Sequence, residues 1–107
     1  MLDEQINQRV HLLLTRYQIV AGDRVAMLSM NRLEHLIVFF ALQRIEAILL
    51  PLNYRLAAPE ISYQLEDASA KLVLYSSEFA SKLDKLPSST QKSPLDSEYG
   101  WINQCQK

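Results

Sequence analysis

Gly22-Asp23-Arg24-Val25-Ala26 opens the stretch that decides the fold, which continues through Pro51-Leu52-Asn53-Tyr54-Arg55-Leu56 and Pro59-Glu60 to Leu65-Glu66-Asp67. Gly22-Asp23 breaks the helical pattern that precedes it, and Val25 to Leu28 is a short apolar run of the kind that forms a buried strand, ending near Ser29. Asn31 can cap the next helix by accepting a backbone N–H bond, with Glu34 placed to reach back as in a capping box. That helix is predicted over about 32–45. Between Leu36 and Leu42 it is apolar almost all round, which implies burial against more than one layer. Ala47 to Leu50 reads as a second strand stopped by Pro51, and 52–57 as a loop. Pro59 suits the first helical position, where its missing N–H is unbonded in any case. Ile61, Leu65 and Ala68 then make one apolar stripe, so 59–68 is a third helix.

Leu2, Ile6, Val10, Leu13, Leu14 and Tyr17 recur at steps of three and four, which predicts an amphipathic helix over 3–18 with Asp3, Glu4 and Arg9 on its outer side. Leu72 to Leu74 is a third short strand, and Phe79, Leu83 and Leu86 mark a weaker fourth helix. From Pro87 to Pro94 the composition turns to Ser, Thr, Gln and Lys and reads as a flexible linker, beyond which Tyr99, Trp101 and Ile102 are expected to dock back onto the body. Strands separated by helical crossovers pair in parallel with right-handed connections. The fold class is therefore α/β, a partial three-layer sandwich with a small, mainly parallel sheet and flanking helices. Residues 1–86 form an incomplete α/β subdomain and 87–107 a linker and tail.

A chain of 107 residues, 49% hydrophobic and 21% charged, is ordinary for one small soluble domain. Its net charge of −1, with eleven dispersed Lys and Arg, offers no basic field for nucleic acid. The apolar run from Leu36 to Leu42 falls far short of the roughly 20 residues that span a bilayer, and no signal peptide opens the chain. A single cysteine, Cys105, excludes an internal disulfide. A cytoplasmic location is expected.

Glycines that let backbone N–H groups approach phosphate at a helix start are missing: the two present, Gly22 and Gly100, do not lie in a strand-to-helix loop. His11 and His35 lack acidic or cysteine neighbours at metal spacing and read as solvated helix-face residues. Ser29 and Ser76 stand at strand ends without an identifiable base, so no catalytic residue is assigned. Glu66-Asp67 reads as a solvated helix end. Open parallel sheets bind ligands beyond the carboxyl ends of their strands, which singles out the loop of Asn53, Tyr54 and Arg55 and the segment from Ser76-Ser77 toward Lys82. Arg55 can hold a phosphate through its guanidinium fork, with Asn53 supplying hydrogen bonds and Tyr54 a stacking face; the alternative is a structural role, including an internal salt bridge.

The run from Gly22 to Asp67, in this order and spacing, resembles the amino-terminal part of the AMP-forming acyl-CoA synthetases, of the adenylate-forming ligase superfamily. Leu2-Asp3-Glu4-Gln5-Ile6-Asn7-Gln8-Arg9-Val10 is similar to a helix of the same family, and the likeness covers about the first 80 residues. Two positions depart from it: Glu46 stands where the family has Gly, so its charge must reach solvent or a cation, and Ala58 replaces a Thr or Ser cap, a loss of about 1 kcal/mol.

The resemblance implies a fragment of the large amino-terminal domain of these enzymes, with Met1 an internal or engineered start. The whole enzyme activates a carboxylic acid with ATP and magnesium to an acyl-adenylate and pyrophosphate, and coenzyme A then displaces AMP. Its phosphate loop, adenine-contacting motif, magnesium-binding acid and carboxyl-terminal lysine have no counterpart here, so the chain is expected to be inactive alone and to have the remainder of the parent enzyme as its partner. The resemblance also implies that the loop after the second strand and the region after the third approach the coenzyme A nucleotide. Asn53, Tyr54, Arg55 and Lys82 are then the candidate cofactor-binding residues. The wording Pro-Leu-Asn-Tyr-Arg-Leu is most similar to medium- or long-chain fatty acyl ligases, while a luciferase-like oxidase or a peptide-synthetase adenylation domain stays open. The alternatives outside this family are a stand-alone binding module and a dimerisation module that self-associates through exposed apolar surface.

Overall fold

The computed structural model describes residues 2–83 and 90–95. Helix α1 spans Leu2–Thr15, strand β1 Arg24–Leu28, helix α2 Arg32–Arg44, strand β2 Ile48–Pro51, helix α3 Ala58–Asp67 and strand β3 Leu72–Tyr75. A 3-10 helix follows at Ser77–Leu83, then strand β4 at Gln91–Pro94. The four strands form one sheet in the order β2-β1-β3-β4, and every pairing is parallel.

Strand β1 explains the layers. Its residues Val25 to Leu28 are all 0% exposed, and alternate side chains point to opposite faces. Val25 and Met27 join Ile6, Leu13, Tyr17, Ile37, Val38 and Leu42 under α1 and α2. Ala26 and Leu28 join Ile61, Leu65 and Leu83 under α3 and the 3-10 helix. The result is the expected three layers. From β1 the chain moves to one side of the sheet through α2, then crosses to the other side through α3 on the opposite face. Direction and face reverse together, as two crossovers of one hand require.

Both crossover helices end in the same way. Ala47 N donates to Leu42 O (2.9 Å) and Glu46 N to Gln43 O (3.2 Å); Ala70 N donates to Leu65 O (3.0 Å) and Ser69 N to Glu66 O (3.1 Å). These paired bonds form when the residue after the cap is left-handed, and Glu46 and Ser69 have φ of 60° and 52°. Glu46 thus occupies a glycine-type position with its side chain exposed, as its charge demands. At the start of α3 the cap is Ala57, one residue earlier than expected, and no side chain caps it.

Three expectations are corrected. Arg9 is not on the outer side of α1: it is 5% exposed, and its Nε and Nη2 donate to Glu34 Oε2 and Oε1 at 3.0 and 2.7 Å, with Glu34 itself 3% exposed. The Glu34 carboxylate therefore pairs with α1, while the Asn31 N–H that a capping box would offer it donates to Ser29 Oγ (3.0 Å). The other half of the cap forms as expected, Glu34 N donating to Asn31 Oδ1 at 3.0 Å.

Second, α2 is not enclosed all round. Leu33, Leu36 and Phe39 are 62%, 45% and 44% exposed, because only the face carrying Ile37, Val38, Ala41 and Leu42 meets the sheet. Third, residues 91–94, read as linker, are a strand. Backbone pairing with β3 does not need apolar side chains on an edge: Gln91 and Lys92 are exposed, while Ser93 is buried and accepts the Tyr17 hydroxyl at 2.9 Å. The weaker fourth helix forms as a 3-10 turn, and its expected end at 84–86 lies outside the described residues, as do Tyr99, Trp101 and Ile102.

The buried pair gives a clear expectation. Arg9→Met leaves the Glu34 carboxylate buried without its cation and should destabilise the chain by about 3–5 kcal/mol, a large share of a small domain's stability. Arg9→Met with Glu34→Leu should recover most of that loss. Urea unfolding of the two variants beside wild type tests it; equal midpoints for Arg9→Met and wild type would contradict a paired, desolvated arginine.

Candidate functional site

The parallel register sets Leu28 beside Tyr75, so the next residues of each chain, Ser29 and Ser76, emerge side by side at the carboxyl end of the sheet. Their hydroxyls share a hydrogen bond of 2.6 Å. Chain direction reverses at this point, β1 leading to β2 on one side while β3 lies on the other. Such a switch point opens a crevice in which open α/β sheets hold ligands.

The expected coenzyme-binding residues gather next to it. After β2, Asn53 Oδ1 accepts the Arg55 N–H (2.9 Å) and Asn53 O accepts the Leu56 N–H (3.1 Å), which folds the loop into a tight turn. Tyr54 is half-buried, its ring 5.6 Å from that of Phe79. The Arg55 guanidinium lies over the Tyr54 ring at 5.6 Å and is otherwise exposed, with no ion pair among the described residues. Lys82 reaches across from the 3-10 helix to donate to Tyr54 O, its Nζ 5.8 Å from the Phe79 ring. The structure thus brings Asn53, Tyr54, Arg55 and Lys82 together although 28 positions separate Tyr54 and Lys82. Within the group the roles differ. Asn53 and Lys82 spend polar atoms on the loop itself, whereas Arg55 presents a charge to solvent.

His35 corrects the reading of a merely solvated side chain: it is half-buried, and its Nε2 donates to the Ser29 carbonyl at 2.9 Å. A carbonyl only accepts, so this contact fixes the proton on Nε2 in the neutral ring. The imidazole faces the backbone oxygen, not the Ser29 hydroxyl, and does not form a nucleophile–base pair with it. Glu66 and Asp67 are exposed at the end of α3, as read. No cluster of three or more His, Cys, Asp or Glu occurs among the described residues, and no described helix is long and apolar enough to cross a membrane.

A cavity of about 350 Å³ lies here, walled by Ser29, Met30, Arg32, His35 and Tyr54. Arg32 and His35 were not among the site residues expected from sequence. Their signal was positional: the first turn of a helix that follows a central parallel strand points toward the switch point.

A family model described as "AMP-binding enzyme" matches residues 1–103. The long-chain-fatty-acid–CoA ligase FadD13 of Mycobacterium tuberculosis is 37% identical over 89 residues, covering 83% of this chain and 17% of the relative. A crotonobetaine/carnitine–CoA ligase of Citrobacter koseri is 37% identical over 78 residues, 73% of this chain and 15% of that protein. Among solved structures, the N-terminal domain of FACL13 from Mycobacterium tuberculosis superposes with a TM-score of 0.87 at 29% identity, covering 99% of this chain and 28% of that one. The chain thus spans about a sixth of the length of the curated relatives it matches. With the family model matched over nearly all its residues and the sheet and helices superposing on the N-terminal domain of FACL13, the chain belongs to the AMP-binding enzyme family.

Proposed function

We propose that this chain serves as part of the amino-terminal domain of an AMP-forming ligase acting on medium- or long-chain fatty acids. Such a ligase joins the acid carboxylate to the α-phosphorus of ATP with loss of pyrophosphate, then passes the acyl group to the thiol of coenzyme A with loss of AMP. The observation that carries the reading is the 37% identity to FadD13 over 83% of the chain. That relative is a long-chain fatty acid ligase, which supports the choice of acid.

In this reading the chain's own contribution is to the coenzyme. The nucleotide end of coenzyme A needs a cation for a phosphate and an apolar face for its base. Arg55, exposed above the Tyr54 ring, and the tilted Tyr54–Phe79 pair fit those needs. Asn53 and Lys82 hold the loop in shape through the Arg55 N–H and the Tyr54 carbonyl. ATP and magnesium fall to other groups: the sequence has no glycine-rich phosphate loop, with only Gly22 and Gly100 in 107 residues. The remainder of the parent enzyme is the natural partner. The exposed stripe of Leu33, Leu36 and Phe39 favours a second reading, a binding or dimerisation module in which another copy covers α2.

The isolated chain should not exchange labelled pyrophosphate into ATP with any member of a panel of fatty and aryl acids, because the groups that position phosphates and metal are missing. Acid-dependent exchange surviving rigorous purification would contradict its role as part of a larger catalyst. Coenzyme A should bind weakly, on the order of millimolar, since one exposed cation is screened. Dephospho-coenzyme A should bind more weakly still, and Arg55→Ala should erase the difference between the two ligands. Equal affinities in wild type would remove Arg55 from the coenzyme site.

A further inference from the structure

We propose that a second copy of this chain covers the outer face of α2, the two helices packing antiparallel about a two-fold axis with Leu36 and Phe39 at the centre of the seam. Such pairing develops the second reading above, in which α2 is an association face, and is independent of the coenzyme contact assigned to Arg55. Arg32, Leu36, Phe39 and Gln43 follow one another at steps of four, three and four. They therefore form one line along the helix, opposite the side that Ile37, Val38, Ala41 and Leu42 turn to the sheet. Two helices that meet along such a line interlock their side chains, and here the apolar pair is central with a polar residue at either end. Reversing one helix sets Leu36 of each copy against Phe39 of the other. Over the same length α1 exposes Asp3, Glu4, Gln5, Asn7 and His11, so the apolar line belongs to α2.

Further features suit a reversed copy. A cavity of about 360 Å³ opens between α1 and the carboxyl end of α2, walled by Asp3, Ile6, Phe40, Gln43 and Arg44. Leu33 lies on the same flank of α2 as Phe40, two turns nearer the amino end, and is the most exposed apolar residue of the helix. The two-fold axis carries Leu33 of one copy to the cavity of the other, where Ile6 and Phe40 offer it an apolar wall. Charge fits as well. Arg32 and Glu46 stand at the two ends of this stretch, both exposed and neither with an ion pair among the described residues. Reversal brings Arg32 of each copy to Glu46 of the other, whereas a parallel copy would set like charges together. A helix of 13 residues is only about 20 Å long. The interface is then smaller than the roughly 800 Å² per partner of stable complexes, and pairing is weak, on the order of 100 µM.

Sedimentation velocity of the 107-residue chain, from about 10 µM to about 1 mM, tests the pairing. Monomer and dimer should exchange without larger species. Leu36→Glu should weaken dimerisation at least about thirtyfold, because the seam would bury a charge from each copy. Its urea midpoint in dilute solution should stay at the wild-type value, since Leu36 is exposed in the single chain. Arg32→Glu should weaken dimerisation about fivefold, and Arg32→Glu with Glu46→Arg should restore it to within about twofold. That rescue acts between copies, because the length of α2 separates the two residues within one chain. A chain that stays monomeric throughout leaves α2 to the remainder of the parent enzyme and overturns the pairing. So does association that Leu36→Glu leaves intact or that the charge-swapped variant fails to restore. Pyrophosphate exchange and the Arg55→Ala titration read the ligase account, so either can fail alone.

Discussion

Beyond Arg24, strand β1 has no face toward solvent, and most of the molecule follows from that. Val25 and Met27 must find apolar partners on one side, Ala26 and Leu28 on the other, and strands on both edges must satisfy the backbone between them. A slip of one residue would exchange the two sets, placing small Ala26 where Val25 or Met27 fills the space under α1 and α2. The helices are therefore bound to opposite faces, and the chain must reverse direction at β1. That reversal is what creates the crevice where Ser29, Ser76, Tyr54 and His35 meet.

The Arg9–Glu34 pair works on top of this constraint. It ties α1 to the first turn of α2 inside a region otherwise filled by Ile6, Leu13, Tyr17 and Ile37. Because neither charge can leave for water cheaply, the pair favours one placement of α2 along α1 over placements that would separate the two groups. It also removes the one acid in the first turn of α2 from the service of the helix end. Fold and site are linked through that carboxylate: the interaction that anchors α2 also sets the first turn from which Arg32 and His35 wall the crevice.

Much of this was legible in the sequence because it is periodic. The steps of three and four in α1 and α3, the short apolar runs of β1, β2 and β3, and the Asn31 cap all act over a few residues. The wording from Gly22 to Asp67 carried the family. What stayed hidden depends on distant partners. Arg9 read as an outer residue because it is charged, yet it falls three residues after Ile6 and four before Leu13, on the apolar stripe itself. Strand β4 read as linker because an edge strand is held by backbone bonds, to which Gln91 and Lys92 contribute as well as valine would. The loop of Asn53, Tyr54 and Arg55 was found from the rule for parallel sheets. Arg32 and His35 were not, since nothing local to them reveals the cavity that Tyr54 closes.

Strand β1 lies inside a parallel sheet bounded by β2 on one edge and β4 on the other. Native-state amide hydrogen exchange tests it most directly, because amides of a doubly covered central strand open only with global unfolding. The slowest exchange is expected at Val25 to Leu28 and at Leu72 to Leu74, with faster exchange at Ile48 to Leu50 of the edge strand and measurable protection at Gln91 and Leu95, whose N–H groups donate to Lys71 O and Tyr75 O. Exchange at residues 25–28 as fast as at the edge, or no protection at Gln91 and Leu95, would contradict it.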